Sequence, residues 1–393
     1  MQVSMDKIND LLTRAVDNVI PSKGALEDVL RSGKKLRVYQ GFDPSTPKLH
    51  IGHMIGLRKL RDWQNLGHDV IFLIGDFTGR IGDPTGKGES RPLLSQEVIN
   101  KNAKTYKAQA ARILRLDGKN PIEIKFNSQW LDKLSLQDIF NLTSQVTYQQ
   151  VIKRDMYQKR IRAGKDISIS EVLYPIMQGY DSVAMDIDVE VGGSDQLFNM
   201  LMGRDLMHKM KHKNKFVMTT KLLTDAQGAK VGKTTGNTIN LTDTPDNIFG
   251  AIMNFPDDVI VTGLEYLTDI SLEEIQKTEK LIAGGTNPVE FKKRLAFEVV
   301  KQLRSEKEAK KSQDEFEAVH QKGDLPQDIK TQIEEGTALI EALTKLSASK
   351  SHAKRLLDQG AVEIDGETAQ NGKIKLKTGQ ILKIGKKRFV KVA

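Results

Sequence analysis

Two histidines, His50 and His53, lie at a point in the sequence that suits the binding of an anion. An apolar segment from Leu36 to Gln40 predicts a strand, a Gly/Asp/Pro/Ser turn follows, and a helical pattern begins near His50. The first turn of a helix has unpaired N–H groups and carries about half a positive charge. Two imidazoles on that turn could donate to a phosphate or ribose oxygen, and Gly52 leaves room for a ligand against the backbone.

A metal pair or two solvated histidines are the alternatives for this motif. The chain contains no Cys, and no acidic residue joins His50 and His53 within the motif, which disfavours a metal ion. We therefore predict no metal site built by the protein alone.

A glycine-rich loop, residues 75–91, follows an apolar run over 70–74 that predicts a buried parallel strand. Ligands of doubly wound sheets bind beyond the carboxyl ends of the strands, where this loop would lie. Asp83 offers a carboxylate to an ammonium group, whereas Lys87 and Arg91 offer positive charge to phosphates. The loop is not a Walker loop, because glycine rather than Ser or Thr follows its Gly-Lys pair. A flexible surface turn is the alternative.

Three hydrogen-bonding side chains share one stripe of a helix predicted over residues 168–181. Tyr174, Gln178 and Asp181 are spaced i, i+4 and i+7, with apolar positions on either side. This spacing is typical of a pocket wall, and a polar face in solvent is the alternative.

A second glycine-rich turn, residues 192–196, joins a predicted strand to a predicted helix and carries Asp195, which could accept from ribose hydroxyls.

Further along, the polar loop over 224–237 contains Lys230 and Lys233. Two ammonium groups on a loop with small neighbours would suit a pyrophosphate.

The order of strand and helix patterns predicts an α/β protein with a doubly wound parallel sheet. Residues 4–31 are predicted to be helical in two pieces separated by a break at residues 21–24, residues 95–116 to be one long helix, and residues 373–377 to be a strand. The predicted organisation is, in order, a sheet domain over 1–223 with a helical insertion at about 127–165, a mobile lysine loop over 224–240, an all-helical domain over 241–320, a linker over 321–336 and a small α+β unit over 337–393.

Length and composition predict a globular protein of more than one domain, because 393 residues exceed one ordinary core. Without Cys the chain has no disulfide and no thiol nucleophile. No apolar run approaches the about 20 residues that cross a membrane. The N-terminus resembles neither a signal peptide nor a transit peptide. We expect a cytoplasmic protein with no membrane partner.

Positive charge is concentrated at the C-terminus. Residues 341–393 hold 12 Lys and Arg against 5 Asp and Glu, a net charge of +7, whereas the remaining 340 residues hold 48 against 46, a net charge of only +2. A solubilising tail is one explanation of this asymmetry. Because the segment has helix and hairpin patterns, we favour a folded unit that binds nucleic acid.

Taken together and in order, these motifs resemble those of the bacterial tyrosyl-tRNA synthetases, which belong to the class I aminoacyl-tRNA synthetases. The run from His50 to His53 is similar to the HIGH signature of that class. The run from Lys230 to Thr234 stands where the class carries its KMSKS loop. It departs from that consensus at Val231, Gly232 and Thr234 and is closer to a KFGKT-like variant. The other matching motifs are Tyr39-x-Gly-Phe-Asp43-Pro, Gly82-Asp83-Pro84, Tyr174-x-x-x-Gln178-x-x-Asp181 and Gly192-Gly193-Ser194-Asp195-Gln196.

The resemblance implies a Rossmann-like catalytic domain, an anticodon-side helical domain and a small RNA-binding domain. It implies that tyrosine and ATP, with Mg²⁺ on the ATP phosphates, form tyrosyl-adenylate, and that tRNA(Tyr) then accepts the tyrosyl group. It implies a homodimer, with the helical insertion as the candidate interface.

The resemblance also implies roles for individual residues. Catalytic roles around the phosphates fall to Ser45, His50, His53, Lys87, Arg91, Lys230, Lys233 and Thr234. Tyrosine binding falls to Tyr39, Asp83, Tyr174, Gln178, Asp181 and Gln196. Tyr39 and Asp181 would share the phenolic hydroxyl. ATP binding falls to Gly41, Asp43, His50, Gly52, His53, Gly193, Asp195 and Lys233. RNA binding falls to Lys350, Ser351, Lys354, Arg355, Lys386, Lys387 and Arg388.

Three rival interpretations remain at this point. A tryptophanyl enzyme of the same class could use the same carboxylate for an indole N–H. Nucleotidyltransferases also carry a histidine motif of this type, but they lack the late lysine loop. A non-catalytic RNA-binding protein could retain the fold, although both histidines and both loop lysines are present here.

Overall fold

The computed structural model describes residues 5–85, 93–232, 238–319, 331–347, 349–385 and 388–393. It divides the chain into two compact units, Met1–Ser312 and Gln313–Ala393.

The first unit is organised around a six-stranded sheet. Its strands are β1 (Val16–Ile20), β2 (Arg37–Phe42), β3 (Asp69–Ile74), β4 (Glu123–Phe126), β5 (Val189–Gly193) and β6 (Phe216–Thr220). The spatial order is β1-β6-β5-β2-β3-β4. Strand β1 is antiparallel to β6, and the other neighbouring pairs are parallel. Because β2, β3 and β4 extend to one side and β5 and β6 lie on the other, the order switches between β2 and β5, where doubly wound sheets bind ligands.

Helices cover the sheet and continue beyond it. They are α1 (Met5–Thr13), α2 (Lys23–Arg31), α3 (Ile51–Asn65), α4 (Thr78–Ile81), α5 (Gln96–Ala103), α6 (Tyr106–Ala110), α7 (Ser128–Leu131), α8 (Leu136–Thr143), α9 (Tyr148–Ile152), α10 (Asp155–Arg162), α11 (Ile169–Ala184), α12 (Leu197–Lys211), α13 (Pro245–Met253), α14 (Ile260–Leu267), α15 (Leu272–Ala283), α16 (Val289–Leu303) and α17 (Glu306–Glu317). None of the helices in the described part of the chain is long and apolar enough to cross a membrane.

The helical prediction for residues 4–31 is wrong in its middle, where β1 forms. Ala15 has a positive φ of 53°, which ends the helical path before the strand begins. Val16–Ile20 then pairs with β6 across about two hundred positions of sequence. The pairing gives hydrogen-bond partners to the backbone N–H and carbonyl groups at this edge of the sheet. The free energy of these bonds outweighs the helix preference that the local sequence pattern indicates.

The single helix predicted over 95–116 is instead two short helices, α5 and α6. Side chains of α6 bond the loop that precedes the histidine motif. The Tyr106 hydroxyl donates to the Thr46 carbonyl at 2.8 Å. The Gln109 amide donates to the Pro47 carbonyl at 3.0 Å and accepts from the Leu49 N–H at 2.7 Å. Helix α6 therefore holds the loop that leads into the histidine motif.

Helices α11 and α12 pack unusually closely. A Cβ atom on Gly179 of α11 would lie 3.1 Å from the backbone nitrogen and 3.2 Å from the Cα of Gly203 on α12. Two glycines facing each other let the backbones approach. The contact fixes the helix that carries Tyr174, Gln178 and Asp181.

The second unit is small and has its own core. It contains α18 (Leu339–Ser347), α19 (Lys350–Asp358), and a five-stranded sheet of β7 (Thr331–Ile333), β8 (Val362–Ile364), β9 (Glu367–Thr368), β10 (Ile381–Ile384) and β11 (Arg388–Val392), in the order β7-β11-β10-β8-β9. Its buried core includes Leu343, Leu357 and Leu382. Strand β7 lies within the segment predicted as a linker.

The strand predicted over residues 373–377 is wrong, because Lys375 makes only an isolated bridge with Ala338. The glycine turn at Gly366 and the hairpin of β10 and β11 agree with the predicted α+β character of this unit.

Candidate active site

One cavity of about 650 Å³ opens at the carboxyl ends of β2 and β5, at the switch in strand order. The predicted site residues that line it are Tyr39, Gly41, Asp43, Ser45, His50, Gly52, His53, Asp83, Tyr174, Gln178, Asp181, Gly193, Asp195, Gln196 and Lys230. Lys87, Arg91, Lys233 and Thr234 lie outside the described residues. Residues from six separate stretches of sequence thus meet at one place, and their individual roles stay predictions.

The two histidines cap the helix that they begin. His50 is the N-cap of α3, and its Nδ1 accepts the Gly52 N–H at 3.1 Å. The Nδ1 of His53 accepts the His50 N–H at 3.0 Å. Because Nδ1 accepts in both rings, a neutral imidazole at either position carries its proton on Nε2. Each ring can therefore offer an Nε2–H donor, which is what an anion or a hydroxyl oxygen requires.

The lysine loop is anchored beside the histidine motif by backbone bonds. The Val231 N–H donates to the Leu223 carbonyl at 2.9 Å, which closes a short hairpin. At its far end the Ile239 carbonyl accepts the Ile51 N–H at 2.8 Å, and the Leu241 N–H donates to the Leu49 carbonyl at 2.9 Å. The far end of the loop is thus held against the start of α3, whereas its near end is closed onto Leu223.

Gly232 occupies a position in this loop that excludes a side chain. Its φ is +78°, and a Cβ atom there would lie 2.6 Å from Cγ2 of Ile51. Both the backbone conformation and the contact require glycine. This explains one of the departures from the KMSKS consensus.

Lys230 and Asp195 form an ion pair at 2.7 Å within the cavity wall. Their side chains are 44% and 30% exposed, so solvent screens the pair and its contribution to stability is small, typically about 0–1 kcal/mol. Lys230, which is predicted to bind pyrophosphate, and Asp195, which is predicted to bind ribose, are therefore paired with each other in this structure.

A chain of amides orders the polar groups near Asp83. The Gln196 amide donates to the Asp83 carboxylate at 2.6 Å. Asn199 donates to the side-chain oxygens of both Gln196, at 3.1 Å, and Gln178, at 3.0 Å. Gln178 in turn donates to Glu190 at 3.3 Å. The amide nitrogens of Gln178 and Gln196 thus donate to carboxylates, and their oxygens accept from Asn199. Each of these oxygens has a second lone pair, which a bound ammonium group could use.

Asp43 is a half-buried carboxyl close to Asp83. It accepts the Thr78 hydroxyl at 2.7 Å and the Tyr174 hydroxyl at 2.8 Å. Burial raises the pKa of Asp43 to about 7; the bonds from Thr78 and Tyr174 oppose that rise, and the charge of Asp83 adds to it. A cation bound between these carboxylates would favour the ionised form of Asp43.

Asp181 is 2% exposed and is held by two neutral donors. Trp130 Nε1 donates to one carboxylate oxygen at 2.8 Å, and Asn127 donates to the other at 3.2 Å. Burial raises the pKa of Asp181 well above its usual range, and these two hydrogen bonds oppose the rise. Each oxygen keeps capacity to accept one more hydrogen bond.

The Tyr39 hydroxyl bonds Ser182 at 3.1 Å, and within the described part of the chain it has no bond to Asp181. Burial, followed by the charge of Glu190, raises the pKa of Tyr39 well above its usual range, so the hydroxyl keeps its proton. Tyr39 and Asp181 both line the cavity, so a ligand oxygen between them could contact both.

Several polar groups of the site are not among the residues predicted from the sequence. The cavity lining that was not predicted includes Gln40, Thr78, Asn127 and Glu190. Four further side chains bond lining residues: Trp130, Ser182, Asn199 and Lys215. The acidic interruption of an apolar strand could have marked Glu190. Lys215 precedes a strand, as many surface lysines do, and nothing in its neighbours marks it.

Four of the predicted RNA-binding residues lie on one helix of the second unit. Lys350, Ser351, Lys354 and Arg355 are exposed on α19, whereas Ala353 and Leu357 on the same helix are buried in the core. Lys386 and Lys387 lie outside the described residues, and the side chain of Arg388 is not described. Among the residues that the structure describes, no cluster of three His, Asp or Glu side chains could hold a metal ion.

Known proteins with similar sequences belong to the family that the site geometry indicates. The family model described as "tRNA synthetases class I (W and Y)" matches residues 31–321. A tyrosine–tRNA ligase of Dehalococcoides mccartyi (strain CBDB1) is 41% identical over 398 residues, covering 100% of both chains. A tyrosine–tRNA ligase of Thermotoga maritima is 41% identical over 390 residues, covering 98% of this chain and 96% of its own.

Solved structures share the fold at lower identity. A C-terminally truncated mitochondrial tyrosyl-tRNA synthetase of Aspergillus nidulans aligns with a TM-score of 0.69 at 24% identity, covering 80% of this chain and 94% of its own. The tyrosyl-tRNA synthetase of Archaeoglobus fulgidus, solved with L-tyrosine, aligns with a TM-score of 0.62 at 21% identity, covering 78% and 99%.

The chain belongs to the family of class I tRNA synthetases for tryptophan and tyrosine. The predicted resemblance to the bacterial tyrosyl enzymes, the predicted enzyme class and the predicted fold class are confirmed.

Gly232→Ala should slow amino-acid-dependent ATP–pyrophosphate exchange. The new methyl group must move either Ile51 or the loop, and displacements of about 1 Å in a positioning element cost up to about 100-fold in rate. We expect a loss of kcat between about tenfold and 100-fold, measured by exchange at saturating substrates.

Gly228→Ala is the matched control for this variant. Gly228 has the same φ of +78° in the same loop, but a Cβ there would meet nothing within 4 Å. Equal losses in the two variants would show that backbone strain alone matters and that the contact with Ile51 does not.

Proposed function

We propose that this chain activates L-tyrosine with ATP to form tyrosyl-adenylate and pyrophosphate, and then transfers the tyrosyl group to the 3′-terminal ribose of tRNA(Tyr). One observation carries the proposal. A single cavity is lined both by a buried hydroxyl and carboxylate, Tyr39 and Asp181, and by the cationic and imidazole groups of His50, His53 and Lys230. The first pair suits a phenol, and the second set suits phosphates.

The first reaction step requires positioning more than proton transfer. The attacking group of tyrosine is already a carboxylate, so no general base has to remove a proton from it. Donors directed at the α-phosphate and the leaving pyrophosphate can supply the rate enhancement. We assign Ser45 and His50 to the phosphates and His53 to the ribose region. Mg²⁺ enters with the ATP phosphates as part of the substrate and neutralises their charge.

The lysine loop completes this arrangement. Lys230, with Lys233 and Thr234, would close over the leaving pyrophosphate together with Lys87 and Arg91. Asp195 would accept from the ribose hydroxyls at the carboxylate positions that its 2.7 Å contact with Lys230 through Oδ2 leaves open. Gly41, Asp43, Gly52 and Gly193 would border the nucleotide.

The tyrosine subsite has acceptors suited to an ammonium group and to a phenol. Asp83, Tyr174 and Gln178 would accept from the α-ammonium, with Gln196 holding Asp83 in place. The phenolic hydroxyl would lie between Tyr39 and Asp181. Phenylalanine would leave both groups unpaired and buried; the large discrimination of this enzyme class against phenylalanine, about 10⁵ without editing, is the example that general treatments of specificity use.

Tyrosine-dependent ATP–pyrophosphate exchange tests the function, with tryptophan as the rival substrate. We expect exchange with tyrosine and not with tryptophan.

Asp181→Ala should lower kcat/KM for tyrosine and reduce the preference for tyrosine over phenylalanine by about 100-fold or more.

Asp76→Ala is the control for loss of a buried carboxylate. Asp76 is 7% exposed and caps α7 through Ser128, but it does not line the cavity. This variant should lower the stability of the protein without changing the ratio of kcat/KM for tyrosine to that for phenylalanine.

Two outcomes of the exchange assay would contradict the proposed function. Exchange with tryptophan alone would indicate a tryptophanyl enzyme, and no exchange with either amino acid would favour a non-catalytic RNA-binding protein.

For the second step, we assign the exposed cationic face of α19 to tRNA. Replacing Lys350, Lys354 and Arg355 by Gln should leave exchange intact and raise KM for tRNA. Each lost phosphate contact should reduce the slope of log affinity against log salt by about 0.7 to 0.9.

The control has the same change in charge elsewhere in the second unit. Lys373, Lys375 and Lys377 are also exposed, and replacing all three by Gln removes the same +3. If both triple variants weaken tRNA binding equally, net charge accounts for binding and α19 has no special role.

We further propose that the enzyme is a homodimer through its helical insertion, residues 127–165. Leu136 and Phe140 share one face of α8 and are 67% and 60% exposed, and Tyr148 is 64% exposed. Large apolar side chains that remain exposed this close together are typical of an interface. A second copy of the chain is the partner that the family resemblance implies.

Phe140→Asp should convert the dimer to a monomer at micromolar concentration in sedimentation experiments, because a buried interface would have to take in an unpaired charge. Leu281→Asp is the control, since Leu281 is an exposed leucine (50%) on α15 in the helical region. A dimer that persists in Phe140→Asp would exclude α8 from the interface.

The remaining expectations stay proposals. We place the enzyme in the cytoplasm because its proposed role is in translation, and we retain the predicted domain boundaries as working limits for truncation.

A further inference from the structure

A buried ion pair lies directly behind the candidate phenol site. Lys215 and Glu190 contact each other through Nζ and Oε2, and their side chains are 0% and 3% exposed. Lys215 Nζ also donates to the Ser182 hydroxyl at 2.8 Å. Ser182 itself is fully buried and bonds the Tyr39 hydroxyl. A connected path therefore runs from the ion pair to the cavity.

The fold makes specific room for this lysine. A Cβ atom on Gly203 of α12 would lie 2.6 Å from Lys215 Nζ, 3.0 Å from Ser182 Oγ and 3.3 Å from Glu190 Oε2. The absence of a side chain at Gly203 thus admits the ammonium group between the helix and the sheet. Burial lowers the pKa of Lys215, and the charge of Glu190 opposes this.

Stability is a poor reason for such an arrangement. Removing two charges from water has a large cost, and well-packed apolar residues often replace a buried ion pair with no loss of stability. A buried pair whose third contact leads towards a ligand pocket is better explained by what it does to that ligand site.

The distances decide which way the protons point along the path. Lys215 Nζ can only donate, so it occupies one lone pair of Ser182 Oγ. The Ser182 proton then has two acceptors, Glu190 at 3.5 Å and Tyr39 at 3.1 Å. The bond at 3.5 Å is at the limit of a hydrogen bond, so the shorter bond to Tyr39 takes the Ser182 proton. The Tyr39 proton is then directed to Glu190, whose hydrogen bond contributes to the raised pKa of Tyr39, or to a ligand oxygen in the cavity.

We propose that Lys215, held by Glu190, is a positioning residue that acts through Ser182 to fix the Tyr39 hydroxyl as a donor to the substrate. This rests on the proposed function, in which the substrate phenol lies between Tyr39 and Asp181. The donors then run in one direction, from Lys215 through Ser182 and Tyr39 to the substrate oxygen, and from the substrate to Asp181. The site selects a group that both accepts and donates.

The fixed direction of these hydrogen bonds lets the site distinguish substrates of the same shape. A phenol satisfies both neighbours, because its oxygen accepts from Tyr39 while its proton goes to Asp181. The amino group of 4-aminophenylalanine has nearly the same size, but it is a poor acceptor and mainly donates. A fixed Tyr39 donor rejects it, whereas a Tyr39 hydroxyl that is free to turn could accept from it.

The test is a double-mutant cycle on the purified full-length enzyme, read as kcat/KM in ATP–pyrophosphate exchange. Ser182→Ala leaves the ion pair intact but removes the link to Tyr39. It should lower the preference for tyrosine over 4-aminophenylalanine by about tenfold, with the KM for ATP unchanged. In a Tyr39→Phe background the same Ser182→Ala change should have no further effect.

Ser312→Ala is the matched control, because Ser312 is also buried (2% exposed) and donates to a carboxylate, that of Asp246. It should leave the ratio of the two substrates unchanged. Lys215→Met combined with Glu190→Gln removes both charges together, so no lone charge is left buried, and it should reproduce the loss seen in Ser182→Ala.

The outcomes separate the inference from the function on which it rests. If Tyr39→Phe does not change the ratio of tyrosine to phenylalanine, the proposed phenol site itself is wrong. If Tyr39→Phe changes that ratio but Ser182→Ala lowers kcat/KM for tyrosine and 4-aminophenylalanine equally, or adds to Tyr39→Phe, then Ser182 and Lys215 only support the packing and the inference is overturned.

Discussion

The backbone pairing of residues 49–51 with residues 239–241 is the contact on which the candidate active site depends. These segments come from opposite sides of the catalytic region in sequence, and their N–H and carbonyl groups bond directly. Helix α3 begins at this pairing, so its unpaired N–H groups, its two imidazoles and the lysine loop share one support. An anion bound at the start of α3 would therefore be approached by loop residues without any large movement of the fold.

The remainder of the cavity is governed by an excess of buried negative charge. Asp181 and Glu190 are buried and Asp43 is half-buried, and among the described residues only Glu190 has a buried cation as partner. In a low-dielectric site, carboxylates without cations are costly, and burial raises the pKa of both Asp43 and Asp181. The ammonium group of an amino acid would relieve part of that cost on binding. The site thus favours a substrate that carries its own positive charge.

The parts of the site that could be predicted from sequence are those in which a local pattern and a topological rule agree. His50, Asp83 and Asp195 each follow a predicted strand, and parallel strands bring such turns to one edge of a sheet. Local pattern was also sufficient for the stripe of α11 that carries Tyr174, Gln178 and Asp181. Motif order then indicated the family, because spacing over the whole chain is far more specific than any single motif.

What could not be predicted depends on partners that are distant in sequence. Val16–Ile20 forms a strand because β6 offers an edge about two hundred positions later, and helical periodicity carries no information about that edge. Gln109 clamps the loop before His50 from a helix that the sequence predicts only as amphipathic. Lys215 is indistinguishable from a surface lysine until the glycine of a neighbouring helix leaves space for its ammonium group.

The ion pair of Lys230 with Asp195 has a consequence for the order of events when nucleotide binds. On the proposed assignment, a ribose hydroxyl and a lysine meet at the same carboxylate. Lys230 contacts Oδ2, and a carboxylate has acceptor sites for more than one donor, so the sugar can bind without displacing the lysine. This exposed ion pair is worth at most about 1 kcal/mol, so the phosphates of a bound nucleotide can draw the lysine away at little cost. Asp195 thus holds the cation beside the sugar until the phosphates arrive.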